Sequence, residues 1–178
     1  MNSINQQQAE KNHEDLLNED AVKKIKELSK KASTCFFCTA MSSDKPFKTR
    51  PMSVQDVDND GNIWFLSADD SGINADINAD EKVQLLFQGS AHSDFLAIDG
   101  VATISRDKQK IDEFWGPLLK TWFTEGKDDP RITVIKVETY NGYYWDNKHG
   151  NAIAFAKMTL GAMLGKTMDD SIEGQLKP

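Results

Sequence analysis

The sequence predicts a mainly β protein of the α+β class, built as a small barrel or sandwich with flanking helices. Its β-rich segments are short and are separated by frequent turns. They span residues 34–41, 48–57, 62–67, 83–88, 94–105, 131–140 and 142–146. Such a series is typical of small closed or double-layered antiparallel sheets. With 178 residues, the chain is long enough for one domain with a substantial core.

The first predicted element is a helix from about Asn18 to Ala32. Its apolar residues recur at three- and four-residue spacing, while its lysines lie mainly off that stripe. The stripe consists of Ala21, Ile25, Leu28 and Ala32. We expect Asn18 or Asp20 to cap the helix, because short polar side chains accept hydrogen bonds from the free amides of a first turn. Residues 1–15 are expected to form a polar, mobile tail.

Two local signals organise the next part of the chain. Asp60-Gly61 predicts a tight hairpin turn between the strands at 48–57 and 62–67, since these residue types tolerate positive φ. Ser71 is expected to open a short helix that ends near Ala79. Together they predict a hairpin followed by the start of a helix.

Glycine and proline mark the irregular points of the later elements. Gly100, inside the strand at 94–105, predicts a bulge or bend. Residues 108–123 have helical spacing of apolar and aromatic residues, which we assign to the core. Gly116-Pro117 should break or kink this segment, because proline cannot continue the hydrogen-bond ladder.

The C-terminal region divides into two predicted parts. The segment from Gly150 to Lys166 is rich in Gly, Ala and Met and predicts a closely packed helix. Residues 167–178 are expected to be a polar, frayed tail. The sequence therefore predicts one domain over residues 16–166, with a tail at each end.

Composition excludes several classes of function. The formal net charge of −7 argues against a non-specific nucleic-acid binder, because neutralising phosphates requires clustered Lys and Arg. The sequence contains no stretch of the roughly 18 apolar residues that a membrane span needs. Its start lacks the basic and apolar regions of a signal peptide. We therefore expect no membrane partner and a cytoplasmic location.

Cys35 and Cys38 have the Cys-x-x-Cys spacing of some redox and zinc sites. However, the surrounding residues predict a buried strand, on which side chains three apart point to opposite faces. We therefore predict two packed core thiols. The three histidines are scattered, so the pair lacks further zinc ligands.

Residues 56–63 match the first half of an EF-hand calcium loop. Ser67 stands where the second half needs a bidentate glutamate, and strands rather than helices are predicted on both sides. We interpret the acidic residues as part of a hairpin turn and predict no metal site. Because no Gly-x-Ser-x-Gly motif is present, no catalytic residue is assigned, and the chemistry points to a borrowed cofactor.

Several motifs in fixed order carry a family resemblance. They are Arg50-Pro51-Met52-Ser53, Trp115-Gly116-Pro117-Leu118-Leu119 and Tyr144-Trp145-Asp146. The chain resembles the general stress protein 26 family, within the pyridoxamine 5'-phosphate oxidase-like FMN-binding split barrels. The resemblance implies a six- to seven-stranded split β-barrel with flanking helices. It also implies FMN, or alternatively FAD, bound at the interface of a homodimer.

The same resemblance implies the residues of the flavin site. The strand with Arg50, Pro51, Met52 and Ser53 would lie along the flavin, and its partner strand, with Leu66 and Ser67, would add a hydroxyl. The helix start at Ser71 would hold the phosphate. Trp145 would reach the flavin across the dimer interface. Without the family resemblance, the strand that carries Arg50 would be interpreted as an edge strand with an exposed arginine.

The chain departs from the family at two places. Many relatives carry Lys or Arg at the position of Ile73, so a phosphate here would depend on Ser71, backbone amides and Lys48 or Arg50. The C-terminal arginine- and histidine-containing motif of true pyridoxamine 5'-phosphate oxidases is missing, because residues 150–178 contain no Arg. Oxidation of vitamin B6 is therefore not expected.

Three functions stay open at this point. The first is a flavin-dependent redox enzyme with a small-molecule substrate. The second is a non-catalytic flavin carrier or storage module. The third is a degenerate barrel that binds no flavin and works through its surface.

Overall fold

Nine strands form one mixed sheet, accompanied by three α-helices, in the part of the chain that the structure describes. This computed structural model describes residues 12–40, 46–91, 93–150, 153–154, 156–157, 159–160 and 170–178. In chain order the elements are β1 (Leu16–Leu17), α1 (Asn18–Ala32), β2 (Thr34–Thr39), β3 (Lys48–Ser53), β4 (Asp56–Val57), β5 (Ile63–Ala68), α2 (Gly72–Ala79), β6 (Lys82–Gln88), β7 (Phe95–Ser105), α3 (Lys108–Phe114), β8 (Ile132–Asn147) and β9 (Ser171–Lys177).

The strand order is β1-β9-β8-β7-β6-β2-β3, and β5 joins the sheet through β8 while β4 pairs with β5. The strand β8 is 16 residues long, so different halves of it pair with β5 and with β9. Among the described strands, β3 and β5 are not bonded to each other, which leaves the barrel open between them. The predicted mainly β split barrel is confirmed, but the described residues form nine strands rather than the predicted six or seven.

The core is enclosed by this sheet and by α1. Ala21, Ile25 and Leu28 of the predicted apolar stripe are fully buried. Inside the barrel, the rings of Phe37 and Phe65 pack edge to face with centroids 5.2 Å apart. The helix therefore contributes to the core the face that its sequence pattern predicts.

The bounds of α1 match the prediction, but its cap does not. The N-cap residue is Leu17, with no side-chain hydrogen bond, and Asn18 begins the helix at φ 50°. The chain enters the helix directly from β1, whose pairing with β9 fixes the backbone there. Neither Asn18 nor Asp20 is therefore in a position to cap.

The predicted strand at 48–57 is divided into β3 and β4. Between them, the backbone N–H of Val54 bonds to Ser33 and that of Gln55 bonds to Trp64. The chain thus changes partner, since β3 pairs with β2 and β4 pairs with β5. The predicted turn lies between β4 and β5, where Gly61 has φ +81°.

The acidic residues of this turn have a structural role. The carboxylate of Asp58 accepts hydrogen bonds from the backbone of Asp60 and Asn62 and from the side chains of Asn62 and Trp64. Four donors thus engage one carboxylate. The interpretation of the segment as a hairpin turn is confirmed.

The bulge and the helix break are both confirmed. The register between β7 and β8 shifts between Asp99 and Gly100, so the two strands predicted at 131–140 and 142–146 are one bulged strand. The helix α3 ends at Phe114, and Pro117 starts a separate 3-10 turn, Pro117–Thr121. A second 3-10 turn spans Gly126–Asp128.

The expectation of a frayed C-terminal tail is wrong for its last residues. The strand β9 pairs antiparallel with β8 and parallel with β1, and Leu176 is fully buried. A Cβ on Gly174 would lie 1.8 Å from the carbonyl oxygen of Glu14, so only glycine lets the two segments approach. This strand was not predicted from the sequence because polar residues occupy its outward positions.

The expectation of a mobile N-terminal tail is wrong for residues 12–15. The N–H of Glu173 bonds to Asn12, and the N–H of Glu14 bonds to Glu173. The domain therefore extends beyond residues 16–166 at both ends. Residues 1–11 lie outside the described residues.

The predicted helix from Gly150 to Lys166 is described only in part. Residues 153–154, 156–157 and 159–160 are helical, and the other positions of the predicted helix after Gly150 lie outside the described residues.

None of the helices in the described ranges combines the length and apolar character needed to cross a bilayer.

The two thiols are buried and unpaired with each other, as predicted. Cys35 is 5% exposed and Cys38 is fully buried. Burial raises the pKa of the Cys35 thiol to about 12, with a smaller contribution from Cys38. Neither thiol therefore has the exposure and acidity of a reactive cysteine.

Candidate functional site

A cavity of about 490 Å³ occupies the opening between β3 and β5. It brings together seven of the eight residues that the family resemblance implies. The lining residues are Arg50, Pro51, Met52, Ser53, Gln55, Leu66, Ser67, Ala68, Ser71, Gly72, Ile73, Leu119, Trp122 and Phe123. Its size is within the range of small-molecule sites.

The first wall is the edge strand β3. It ends the strand order beside β2, so its other side faces the cavity. Arg50 and Met52 are partly buried, while Pro51 and Ser53 are exposed. Pro51 lacks a backbone N–H, which an edge strand tolerates because that side needs no ladder bond. The predicted edge position is confirmed.

The opposite wall is the end of β5, which is tied to α2 through hydroxyl groups. The hydroxyls of Ser67 and Ser71 are 2.9 Å apart. The Thr133 hydroxyl donates to the carbonyl of Ser67 and accepts from the amide of Asn74, at 3.1 and 2.9 Å. This chain of hydrogen bonds fixes the start of α2 against the strand.

The floor of the cavity includes the N-terminus of α2. Ser71 is its N-cap, and its hydroxyl accepts from the N–H of Asn74 at 3.3 Å. The first amides of a helix lack partners within the helix and carry the positive end of its dipole. The guanidinium of Arg50 lies beside this turn, because its Nη2 would be 3.3 Å from a Cβ on Gly72. This corner can therefore hold an anion.

Arg50 is anchored rather than free. Its Nη2 donates to Asp76 at 2.6 Å and its Nη1 donates to Thr39 at 3.1 Å. Lys48 binds the second oxygen of Asp76 at 2.5 Å. The interpretation of Arg50 as an exposed arginine is wrong, since only 29% of its side chain is accessible. Its direction toward the cavity is set by this network.

Acid should weaken this anchor. Burial alone would raise the pKa of Asp76, but hydrogen bonds from Lys48, Arg50 and Thr39 lower it overall. A carboxyl whose folded-state pKa is lowered stabilises the fold above its unfolded pKa, about 4, and loses that contribution as the pH falls further. We expect the free energy of unfolding to fall more steeply below about pH 5 in the wild type than in Asp76→Asn. Urea unfolding across the range measures this, and equal slopes would contradict it.

Ile73 lies in the core, where a lysine could not readily serve the site. It is 3% exposed and packs in the main core while also touching the cavity. Ile77, four residues later, is buried as well, so both belong to the inward stripe of α2. A lysine at this position would therefore have to leave the core to reach a phosphate in the cavity.

Three residues of the remaining wall were not predicted as site residues. Leu119, Trp122 and Phe123 close the cavity from the segment after α3. The sequence pattern assigned this aromatic stripe to the core, which is right for Ile111 at 5% exposure and wrong for Trp122 at 65%. The break at Gly116-Pro117 could have indicated that the residues after it differ, because it ends the helical spacing on which the assignment to the core depended.

Trp145 does not reach the cavity within one chain. It lies on β8, paired with Phe95 and Glu173, and β2, β6 and β7 separate it from β3 in the sheet. Its ring is 41% exposed and packs 4.7 Å from that of Tyr143. Its expected role from a second subunit stays a prediction.

Comparison with known proteins identifies the family. The family described as Pyridoxamine 5'-phosphate oxidase like matches residues 20–169. The chain belongs to this family. Solved structures named general stress protein 26 share the fold of this chain, in agreement with the resemblance.

Two such structures are similar over most of their length. The General Stress Protein 26 from Bacillus anthracis str. Sterne has a TM-score of 0.60 and 21% identity, covering 69% of this chain and 92% of that one. A protein assigned as general stress protein 26 from Jannaschia sp. CCS1 has a TM-score of 0.70 and 20% identity, covering 90% and 96%. At these identities the likeness concerns the fold alone.

Two further relatives are closer in sequence. The general stress FMN/FAD binding protein from Xanthomonas citri is 25% identical, with a TM-score of 0.56, covering 67% of this chain and 82% of that one. Protein bli-3 of Neurospora crassa is 27% identical over 112 residues, covering 58% of this chain. The match spans about half of that curated relative, 54% of its length.

Proposed function

We propose that the cavity between β3 and β5 binds a flavin, FMN or alternatively FAD, and that the protein takes part in redox chemistry with a small-molecule partner. The observation that carries this proposal is the pairing of a slot between two strands with an anion-binding corner. Arg50 and the N-terminus of α2 lie at that corner. Family membership and the name of the Xanthomonas citri relative support the same ligand.

The two ends of the cavity suit the two ends of such a ligand. The phosphate would bind the hydroxyl of Ser71, the first amides of α2 and the guanidinium of Arg50. The ring would lie between the edge of β3 and Leu66 and Ser67 of β5. When bound, the flavin supplies the capacity for hydride or electron transfer. The residues of the chain bind it, orient it and limit the access of water.

A flavin carrier is the second candidate. Among the described lining residues, Arg50 carries the only charge, and none is a carboxylate, histidine or cysteine. These side chains therefore offer no general acid or base of the usual kind. Either the flavin alone performs the chemistry, or the protein only binds and protects it.

The proposed homodimer would use the outer face of the sheet. The register aligns Pro51 with Phe36, then Leu86, Ala97 and Tyr143 on successive strands. Phe36 is 56% exposed and Leu86 is 36% exposed, so an apolar row runs from the cavity rim across the sheet. A two-fold contact along this row is the commonest way to cover such a face. Trp145 of each subunit would then approach the site of the other.

Reconstitution tests the proposed function. The protein is expressed, stripped of bound small molecules and titrated with FMN while its visible spectrum is recorded. The proposal predicts a yellow complex that gel filtration does not separate. Bleaching by NADH or NADPH without oxygen supports the enzyme, and a stable yellow complex supports the carrier. A protein that stays colourless in excess FMN and FAD would contradict flavin binding.

Phe36→Glu should convert the dimer to a monomer. A charge in the apolar row would be buried without a partner on association, while the exposed position should change folding stability by only about 0.5 kcal/mol. Light scattering at micromolar protein concentration with FMN present measures the mass. Leu17→Glu, at a similarly exposed apolar residue (54%) on β1, is the matched control and should leave the dimer intact. A wild-type monomer, or a dimeric Phe36→Glu, would count against the proposed surface.

A further inference from the structure

Trp122 combines a large exposed surface with a position in the wall of the cavity. It is 65% exposed, and it also lines the cavity between β3 and β5. A large aromatic ring left in water gives up the stabilisation that burial would provide. Its neighbour Phe123 is buried in a second apolar cluster, so the segment could place an aromatic ring inward without using this residue.

The backbone segment that carries this ring is held in a defined place. The N–H groups of Trp122 and Phe123 both bond to the carbonyl of Leu119 at 3.0 Å. Phe123 is 5% exposed and packs with Ile132 and Val134, which begin β8. The indole is therefore carried by a segment fixed to the sheet immediately beside it.

The lining of the cavity consequently combines two kinds of chemistry. Ser71, Gly72 and Arg50 form a polar part, the polar end, which suits an anion. Leu119, Trp122 and Phe123 form an apolar, aromatic wall from a different segment of the chain. A molecule that fits both carries a planar ring system as well as a negative charge.

We propose that Trp122 is the ring-stacking residue of this cavity, covering the exposed face of a planar heteroaromatic ligand. This inference rests on the proposed function, for which the ring is that of the flavin. Stacking does not depend on the charge elsewhere in the ligand, so Trp122 sets the affinity for the ring. The polar end of the cavity sets the preference for a ligand with a phosphate. The indole also quenches the fluorescence of a ring stacked on it.

The test compares two ligands and two kinds of variant. Trp122→Ala should weaken FMN and riboflavin, which lacks the phosphate, by the same factor of roughly five to a hundred. Bound FMN should fluoresce more strongly in Trp122→Ala than in the wild type, and Trp122→Phe should retain most of the affinity. Ser71→Ala should instead weaken FMN alone. Tyr140→Ala, at an exposed aromatic residue (55%) outside the cavity lining, is the control and should change neither ligand.

The outcomes separate this inference from the proposed function. If the wild type binds FMN but Trp122→Ala binds both ligands as tightly, the flavin site stands and the stacking role is overturned. A loss confined to FMN would also overturn it, since Trp122 would then act at the phosphate end. If the wild type binds neither ligand, the proposed function fails, and the stacking role fails with it. Thermal melting of each variant confirms that the protein remains folded.

Discussion

Replacing Ile73 with lysine is expected to destabilise the protein by about 3 to 5 kcal/mol, because the new ammonium would be buried without a partner. Ile73 is 3% exposed and lies in the main core. Urea unfolding of the flavin-free protein measures the change in free energy.

Ile73→Val provides the matched control for this position. It removes one methylene and should cost about 0.5 to 1.5 kcal/mol. A lysine variant as stable as the wild type would show that the side chain reaches solvent. If that variant also gained affinity for FMN but not for riboflavin, residue 73 would face the phosphate after all, and the described packing of α2 would be wrong.

The second large effect is expected at Arg50. Arg50→Ala should weaken FMN binding by a factor of about ten to a hundred, since a charge-assisted hydrogen bond contributes roughly 1.5 to 3 kcal/mol. Riboflavin affinity should change far less, because it has no phosphate to lose. The fold should lose only about 1 kcal/mol, since Lys48 and Thr39 still bind Asp76. Calorimetric titration with both ligands and thermal melting measure the three quantities.

Arg50→Lys separates charge from geometry at the same position. It keeps the positive charge but loses the planar fork that bonds Asp76 and Thr39 together, so an intermediate loss of FMN affinity is expected. If Arg50→Ala strongly lowered the melting temperature and left FMN affinity unchanged, Arg50 would be a structural residue. Equal losses for FMN and riboflavin would place it at the ring rather than at the phosphate.

The parts of the site that could be predicted depend on short stretches of sequence. Arg50 to Ser53, Leu66, Ser67 and the N-cap Ser71 lie within about two dozen residues, where turn and cap chemistry act locally. The edge strand, the turn at Gly61 and the helix start at Ser71 follow from rules that need only neighbouring residues. That these residues meet at one site was predicted from the family resemblance and not from the local rules.

The parts that could not be predicted depend on contacts between distant residues. The strand β9 is defined by its pairing with β8 and β1. The alternation of apolar and polar residues in its own sequence is too weak to predict a strand. The ion pair of Arg50 with Asp76 likewise joins the edge strand β3 to α2, 26 positions further along the chain. The inward direction of Ile73 could not be predicted either, because it is decided by the packing of α2.

The most direct test of the proposed flavin site is a crystal structure of the protein grown with saturating FMN. We expect the ring to lie between β3 and β5, and the phosphate to lie about 3 Å from the Ser71 hydroxyl and the first amides of α2. We also expect the guanidinium of Arg50 beside the phosphate. An empty cavity between β3 and β5 with FMN bound elsewhere, or a ring at the polar end with the phosphate in solvent, would contradict it.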